Sequence, residues 1–238
     1  MKFLFLFPVF CVGLFSASAQ QPFVCTEPGT VLEYACYDAE GRPTGYSRST
    51  VERCGTNADG WLEVVSREEM LGLSREPLVK EHGPDAMLAR TIVRAEDTVV
   101  PLGDLLVSVL RDERMSVAMT EGGDYAYPFA LSVGMTLPDV VSVFNVRRDG
   151  EPTKMNIRLT VGDRAVLAHE RIAVPAGTFE AYKVSETVSV KLLVFRVAVK
   201  NVSWFVPGLG AVRTEQQTEK GKIENYSELL SIRKPDVR

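Results

Sequence analysis

Eleven residues, Val174-Pro-Ala-Gly-Thr-Phe-Glu-Ala-Tyr-Lys-Val184, most narrow what this chain can fold into. They join two long extended segments through a tight corner at Pro175-Ala-Gly177. Pro175 presets φ for the second position of a type I turn, and Gly177 suits the left-handed position that closes a three-residue hairpin. The same punctuation recurs from Val140 onward. Asp149-Gly150 is a two-residue hairpin signal between Val140–Arg148 and Lys154–Val161. Gly162-Asp163 reads as the next turn, Pro207-Gly208 as a type II turn, and Lys220-Gly221 as another. The interval from Gly177 to Pro207 is two strand lengths, so a further reversal is expected near Lys191. The segments between turns are rich in Val, Ile, Thr, Phe and Tyr, as strands prefer.

Alternation supports the same reading. Within Glu180–Val190 the even positions carry Tyr182, Val184, Val188 and Val190, and the odd ones Lys183, Ser185, Thr187 and Ser189. That pattern predicts one buried and one wet face. From Leu192 to Val199 both faces turn apolar, which predicts a strand covered on both sides. In the N-terminal half, Gly29–Tyr37 and Tyr46–Cys54 read as a hairpin around Asp38–Arg42, and a strand starts at Trp61. Polar residues 67–85, broken by Pro77, Gly83 and Pro84, read as a loop, and Arg90–Arg94 as a short strand. Residues 101–112 form the one helix candidate, capped by Asp104 with a stripe of Leu105, Leu106, Val109 and Leu110. No linker or low-complexity tract divides the chain. The expectation is a mainly β, single domain over residues 20–238. It is a long curved antiparallel meander, a half-barrel or partly open barrel, with one short helix packed on it.

Residues 1–19 read as an export signal. Lys2 is followed by an apolar run from Phe3 to Phe15 and a small-residue cleavage site at Ala17-Ser-Ala19. The run is too short for a bilayer span, which needs about 20 residues. A freely soluble periplasmic or secreted protein is expected. Without that segment 26 bases face 31 acids, a net −5. Such a surface gives no electrostatic reason to bind nucleic acid or anionic lipid. Three cysteines remain, and export exposes them to an oxidising compartment. Folding the chain near Glu40 brings Cys25 toward Cys54, which favours a Cys25–Cys54 disulfide with Cys36 as a buried thiol. Three free thiols is the alternative.

Motifs that carry chemistry are scarce. The only histidines are His82 and His169, and no metal-ligand spacing accompanies either. No Gly-x-Ser-x-Gly elbow occurs, and the acids sit in charged clusters such as Arg67-Glu-Glu69. The Pro207-Gly-Leu-Gly210 glycines precede a strand, so no helix N-terminus stands ready to cradle phosphate. No catalytic, metal or cofactor-binding residue is therefore assigned.

Several pieces resemble an exported bacterial domain-of-unknown-function family, TapB-like. They are Tyr127-Pro128 with Val133-Gly-Met-Thr-Leu-Pro138, Val174–Phe179 with Tyr182-Lys183, Trp204–Arg213, and Gly221 through Glu228-Leu229. Gly29–Tyr34 also fits. The resemblance implies a β-rich exported domain with no assigned activity, and a bacterial source in which Asn201-Val-Ser203 and Asn225-Tyr-Ser227 are not glycosylated. A non-enzymatic envelope scaffold or interaction protein is the leading functional expectation. The first alternative is a carrier of an apolar ligand or lipid in a half-barrel concavity lined by Phe195, Val197 and Trp204. A hydrolase of envelope or dietary polymers, and an outer-membrane β-barrel, come after it.

Overall fold

The computed structural model describes residues 21–78, 86–103, 106, 114–192 and 195–235, and the export-signal expectation lies outside them. The strands in chain order are β1 (Val31–Asp38), β2 (Pro43–Thr56), β3 (Leu62–Leu71), β4 (Ala86–Val93), β5 (Asp97–Val100), β6 (Met115–Glu121), β7 (Tyr125–Pro128), β8 (Val140–Arg148), β9 (Glu151–Val174), β10 (Gly177–Leu192), β11 (Phe195–Val206), β12 (Gly210–Gln217) and β13 (Ile223–Arg233). All 13 belong to one antiparallel sheet in the order β6-β8-β9-β10-β11-β12-β13-β1-β2-β3-β4-β5-β7. Two meanders therefore lie side by side, sewn together where β13 pairs with β1.

That order forces the sheet to curl. Its end strands, β6 and β7, stand twelve places apart in the sheet, yet only residues 122–124 separate them in the chain. Four peptide steps reach at most about 14 Å, so the ends must meet. They meet without closing a barrel, because β6 pairs with β8 and β7 with β5. The seam is tight. A side chain on Gly122 would place its Cβ 2.6 Å from Ser142 Oγ and 2.8 Å from Met119 Sδ.

The local turn chemistry explains most corners. Asp149 (φ 51°) and Gly150 (φ 84°) are both left-handed, as a type I′ hairpin requires. Gly208 (φ 75°) follows Pro207, and the Leu209 N–H donates to the Val206 carbonyl at 3.1 Å, which makes the expected type II turn. Two expectations need correction, whereas the reversal expected near Lys191 is found, since β10 and β11 pair antiparallel from Leu192 and Phe195. The corner after Val174 is a two-residue loop, Pro175-Ala176, with Gly177 already paired to Val174. Gly162-Asp163 is no turn at all, since β9 runs straight through it for 24 residues.

Other differences lie in the N-terminal half. β3 continues to Leu71 through the Arg67–Glu69 charges read as loop, and β4 begins at Ala86, ahead of Arg90. Those charges face partners across strands, with Arg67 Nε 2.5 Å from Glu52 and Arg48 against Glu33 and Glu69. Of the short helix expected over 101–112, Leu102, Gly103 and Leu106 are helical, and most of the remainder lies outside the described residues. Leu102 and Leu106 from that stretch are buried against Phe144, Val146 and Ile157.

The core has three parts. One packs Leu32, Val51 and Val64 of the N-terminal meander against Val202, Trp204 and Leu229 of the C-terminal one. The second lies under β8 and β9, around Phe144. The third surrounds Phe23, whose ring meets Tyr182 and Phe205 while Tyr127 packs on Phe205, and whose N–H donates to Thr98 Oγ1 at 3.0 Å. Strand β10 thus serves all three clusters, with Ala181 in the first, Val188 and Val190 packed against the second, and Val184 in the third. Its odd face is not wet as alternation predicts, because Ala181, Ser185 and Ser189 are all buried. The start of β11 departs the other way. Phe195 and Val197 are 71% and 64% exposed, where a strand covered on both sides is expected.

Candidate ligand cavity at the sheet seam

The misread Gly162-Asp163 signal builds the polar centre of the molecule. Thr187 pairs with Gly162 and Ser185 with Ala165, so two residues of β9 face the single residue Glu186 of β10. This is a β-bulge, with Asp163 in the left-handed region at φ 52°. The bulge turns Arg164 inward until its side chain is 1% exposed. Its Nε stands 3.5 Å from Glu186 Oε2, an ion pair rather than a hydrogen bond. The two terminal nitrogens donate to backbone, Nη1 to the Pro138 carbonyl at 3.0 Å and Nη2 to the Ala126 carbonyl at 2.8 Å. Ala126 lies on end strand β7, so the guanidinium caps a carbonyl of the sheet edge.

Two phenols complete the cluster. Tyr125 OH donates to Glu186 Oε1 at 2.5 Å, and Tyr127 OH to Glu186 Oε2 at 3.0 Å. The Arg164 guanidinium carbon stacks 4.8 Å and 4.9 Å from the two ring centroids. Burial, reinforced by the neighbouring phenol and the Glu186 carboxylate, pushes the Tyr125 hydroxyl far above the ordinary tyrosine range. Burial likewise raises Tyr127, again with Glu186 adding to it. Both phenols therefore stay protonated donors at any physiological pH. A buried acid held by one cation and two donors forms a structural clasp.

Beside the clasp the seam opens into a cavity of about 350 Å³. Ile92 and Val99 of the N-terminal meander face Val117 of β6 and Phe144 of β8 across it, with Leu102 between. Its polar lining residues include Arg90, Asp124 and Tyr125. Asp124 is held in place by Arg94, which reaches it at 2.5 Å while gripping Asp97 at 2.6 and 2.7 Å. The lining is mostly apolar with a few polar residues, a composition suited to an amphipathic small molecule.

The residues singled out in sequence fall elsewhere. Phe195 and Val197 share one face of β11 by alternation, and Trp204, buried at 6% exposure, belongs to the other. The structure does not bring these three together, and none of them lines the cavity. Cys25 and Cys54 join the same apolar cluster, with both thiols free. Burial raises the Cys54 thiol, and Cys25 is close enough to add to that shift. Cys36, expected as a buried thiol, is half-buried and pairs with Gly45. His169 stacks on Tyr182 at 4.3 Å, and His82 lies outside the described residues. Among the described residues no cluster of His, Cys, Asp and Glu could hold a metal ion, and no helix is long and apolar enough to cross a membrane.

Solved structures share this architecture. A protein from Bacteroides fragilis described as exported, with a YmcC-like fold, superposes with a TM-score of 0.67 at 19% identity, covering 90% of this chain and 100% of that one. A protein from Parabacteroides distasonis described as a lipoprotein gives 0.67 at 18% identity, covering 90% and 99%. No curated protein matches the chain in sequence. The TapB-like resemblance is not confirmed. A different family model matches residues 105–229, more than half of the chain, and by that match the chain belongs to the DUF3108-like family.

Proposed function

We propose that this is an exported, non-enzymatic envelope protein that holds a small amphipathic ligand in the seam cavity. The observation that carries the reading is the cavity itself, mostly apolar in its lining with Arg90, Asp124 and Tyr125 as polar residues. At about 350 Å³ it sits at the small end of ligand sites, which span roughly 300–1,000 Å³. The export-type N-terminus and neighbours described as exported or lipoprotein support an envelope setting. The Glu186 carboxylate beside the cavity is already taken up by two phenol donors and the Arg164 ion pair, which speaks for a rigid wall over a reaction centre. Titration with 8-anilinonaphthalene-1-sulfonate tests the reading. Saturable binding, displaced by decanoate and abolished in Val117→Trp at unchanged melting temperature, is expected. Non-saturable binding, or binding indifferent to that substitution, would leave only a scaffold role.

The same envelope setting bears on the thiols. We infer that Cys25 and Cys54 pair once the chain is exported, because both already lie in one cluster. Alkylation under denaturing, non-reducing conditions followed by peptide mapping should find Cys36 labelled and a Cys25–Cys54 peptide linked. Three labelled cysteines would refute the pairing.

A further inference from the structure

The first residues of β11 form an open sheet edge. β11 pairs with β10 from Phe195 to Phe205, but with β12 only from Lys200 onward, where Lys200 meets Gln217. Phe195–Val199 therefore has one neighbour strand, and its second edge offers backbone N–H and C=O groups to solvent. Residues 195–198 are all exposed, including the two large apolar side chains Phe195 and Val197. Proteins ordinarily shorten, cover or charge such edges, because an unpaired apolar strand invites another.

The charges beside this edge indicate what it accepts. Arg158 of β9 pairs in register with Lys191 of β10, which pairs with Arg196 of β11. Residues paired across strands share a face, so three cations line up in a row. Lys200 lies on the same face as Arg196 by alternation. Arg196 donates to Ser189 Oγ at 2.9 Å, and among the described residues none of the four forms an ion pair with a carboxylate. A chain with an acidic net charge thus keeps a local basic row next to its barest strand. Two copies meeting edge to edge would bring two such rows together, which disfavours self-association.

We propose that Phe195–Val199 is a docking edge that receives an extended, acidic polypeptide segment of another protein by β-strand addition. The backbone edge supplies the hydrogen bonds, Phe195 and Val197 supply apolar contact on one face, and the cation row selects acidic side chains on the other. The membrane surface is the less favoured occupant, because a flat lipid surface has no use for an open hydrogen-bonding edge.

The test uses the intact protein and a fluorescein-labelled peptide of four Val-Glu repeats, followed by anisotropy. Saturable binding is expected that weakens with salt. It should fall at least tenfold for the Val-Lys peptide and for the Val-Glu peptide N-methylated at alternate residues. Phe195→Glu and Arg196→Glu should each reduce it as strongly while leaving the melting temperature unchanged, since both side chains are exposed. Equal binding of the N-methylated peptide would overturn the proposal, as would the absence of saturable binding. So would association with phosphatidylglycerol vesicles in place of the peptide, or dimerisation in sedimentation that Phe195→Glu abolishes.

Discussion

Arg164→Ala is expected to lower stability by about 3–5 kcal/mol, the range found when one partner of a buried ion pair is removed. The loss has three parts. Glu186, 7% exposed, keeps its charge requirement without its cation. The Ala126 and Pro138 carbonyls lose their donors. The rings of Tyr125 and Tyr127 lose the guanidinium stacked on them. For a protein of this size the change corresponds to a fall of on the order of 10 °C in melting temperature. Arg164→Lys should recover only part, since a single ammonium cannot reach two carbonyls and a carboxylate in the guanidinium's fork. The double variant Arg164→Met/Glu186→Leu should be more stable than Arg164→Ala alone, because an apolar pair leaves no orphaned charge. Urea denaturation of the four proteins measures these differences. An Arg164→Ala variant within about 1 kcal/mol of the parent would mean the clasp does not hold the seam.

Why the sequence hides this clasp is instructive. Asp149-Gly150 could be read directly, because a type I′ turn is specified by the two residues that make it. Gly162-Asp163 has the same local chemistry, a glycine beside a residue tolerant of positive φ, and reads as a turn for that reason. What makes it a bulge is the register of β10, which leaves Glu186 alone against two residues of β9. The partners lie far along the chain, with Tyr127 59 residues from Glu186, so no window of sequence contains the site. A signal did exist. Glu186 occupies an even, inward position of β10, and an acid on an apolar face asks for a cation and donors from elsewhere.

The charged stretch around Arg67 went astray for the opposite reason. Polarity there reports the outer face of a strand, where cross-strand partners such as Arg67 and Glu52 sit side by side, and not a loop. Individually such surface pairs contribute little, so the segment looks unremarkable in composition while obeying the sheet's register. The overall β architecture was legible because turn chemistry and alternation are local. The cavity was not, because it forms only where the two ends of the curled sheet meet.

Trp204→Ala is the second large effect expected, again about 3–5 kcal/mol, as for deletion of a buried large aromatic. Trp204 pairs with Lys183 on one side and Arg213 on the other, and both cations lie over its ring, at 4.7 Å and 5.6 Å from the centroid. Its Nε1 donates to Glu170 Oε1 at 2.8 Å. Trp204→Phe keeps most of the ring burial and leaves no buried acceptor unpaired, because Glu170 is exposed to water. Its cost should stay near 1 kcal/mol. The contrast separates ring packing from the hydrogen bond, and equal losses in the two variants would assign the effect to the indole N–H instead. Fluorescence supplies a local check, since the chain has two tryptophans and Trp61 is 40% exposed. In a Trp61→Phe background the remaining emission should be blue-shifted and resist acrylamide. Red-shifted, readily quenched emission would remove Trp204 from the core, and with it the junction that holds the two meanders face to face.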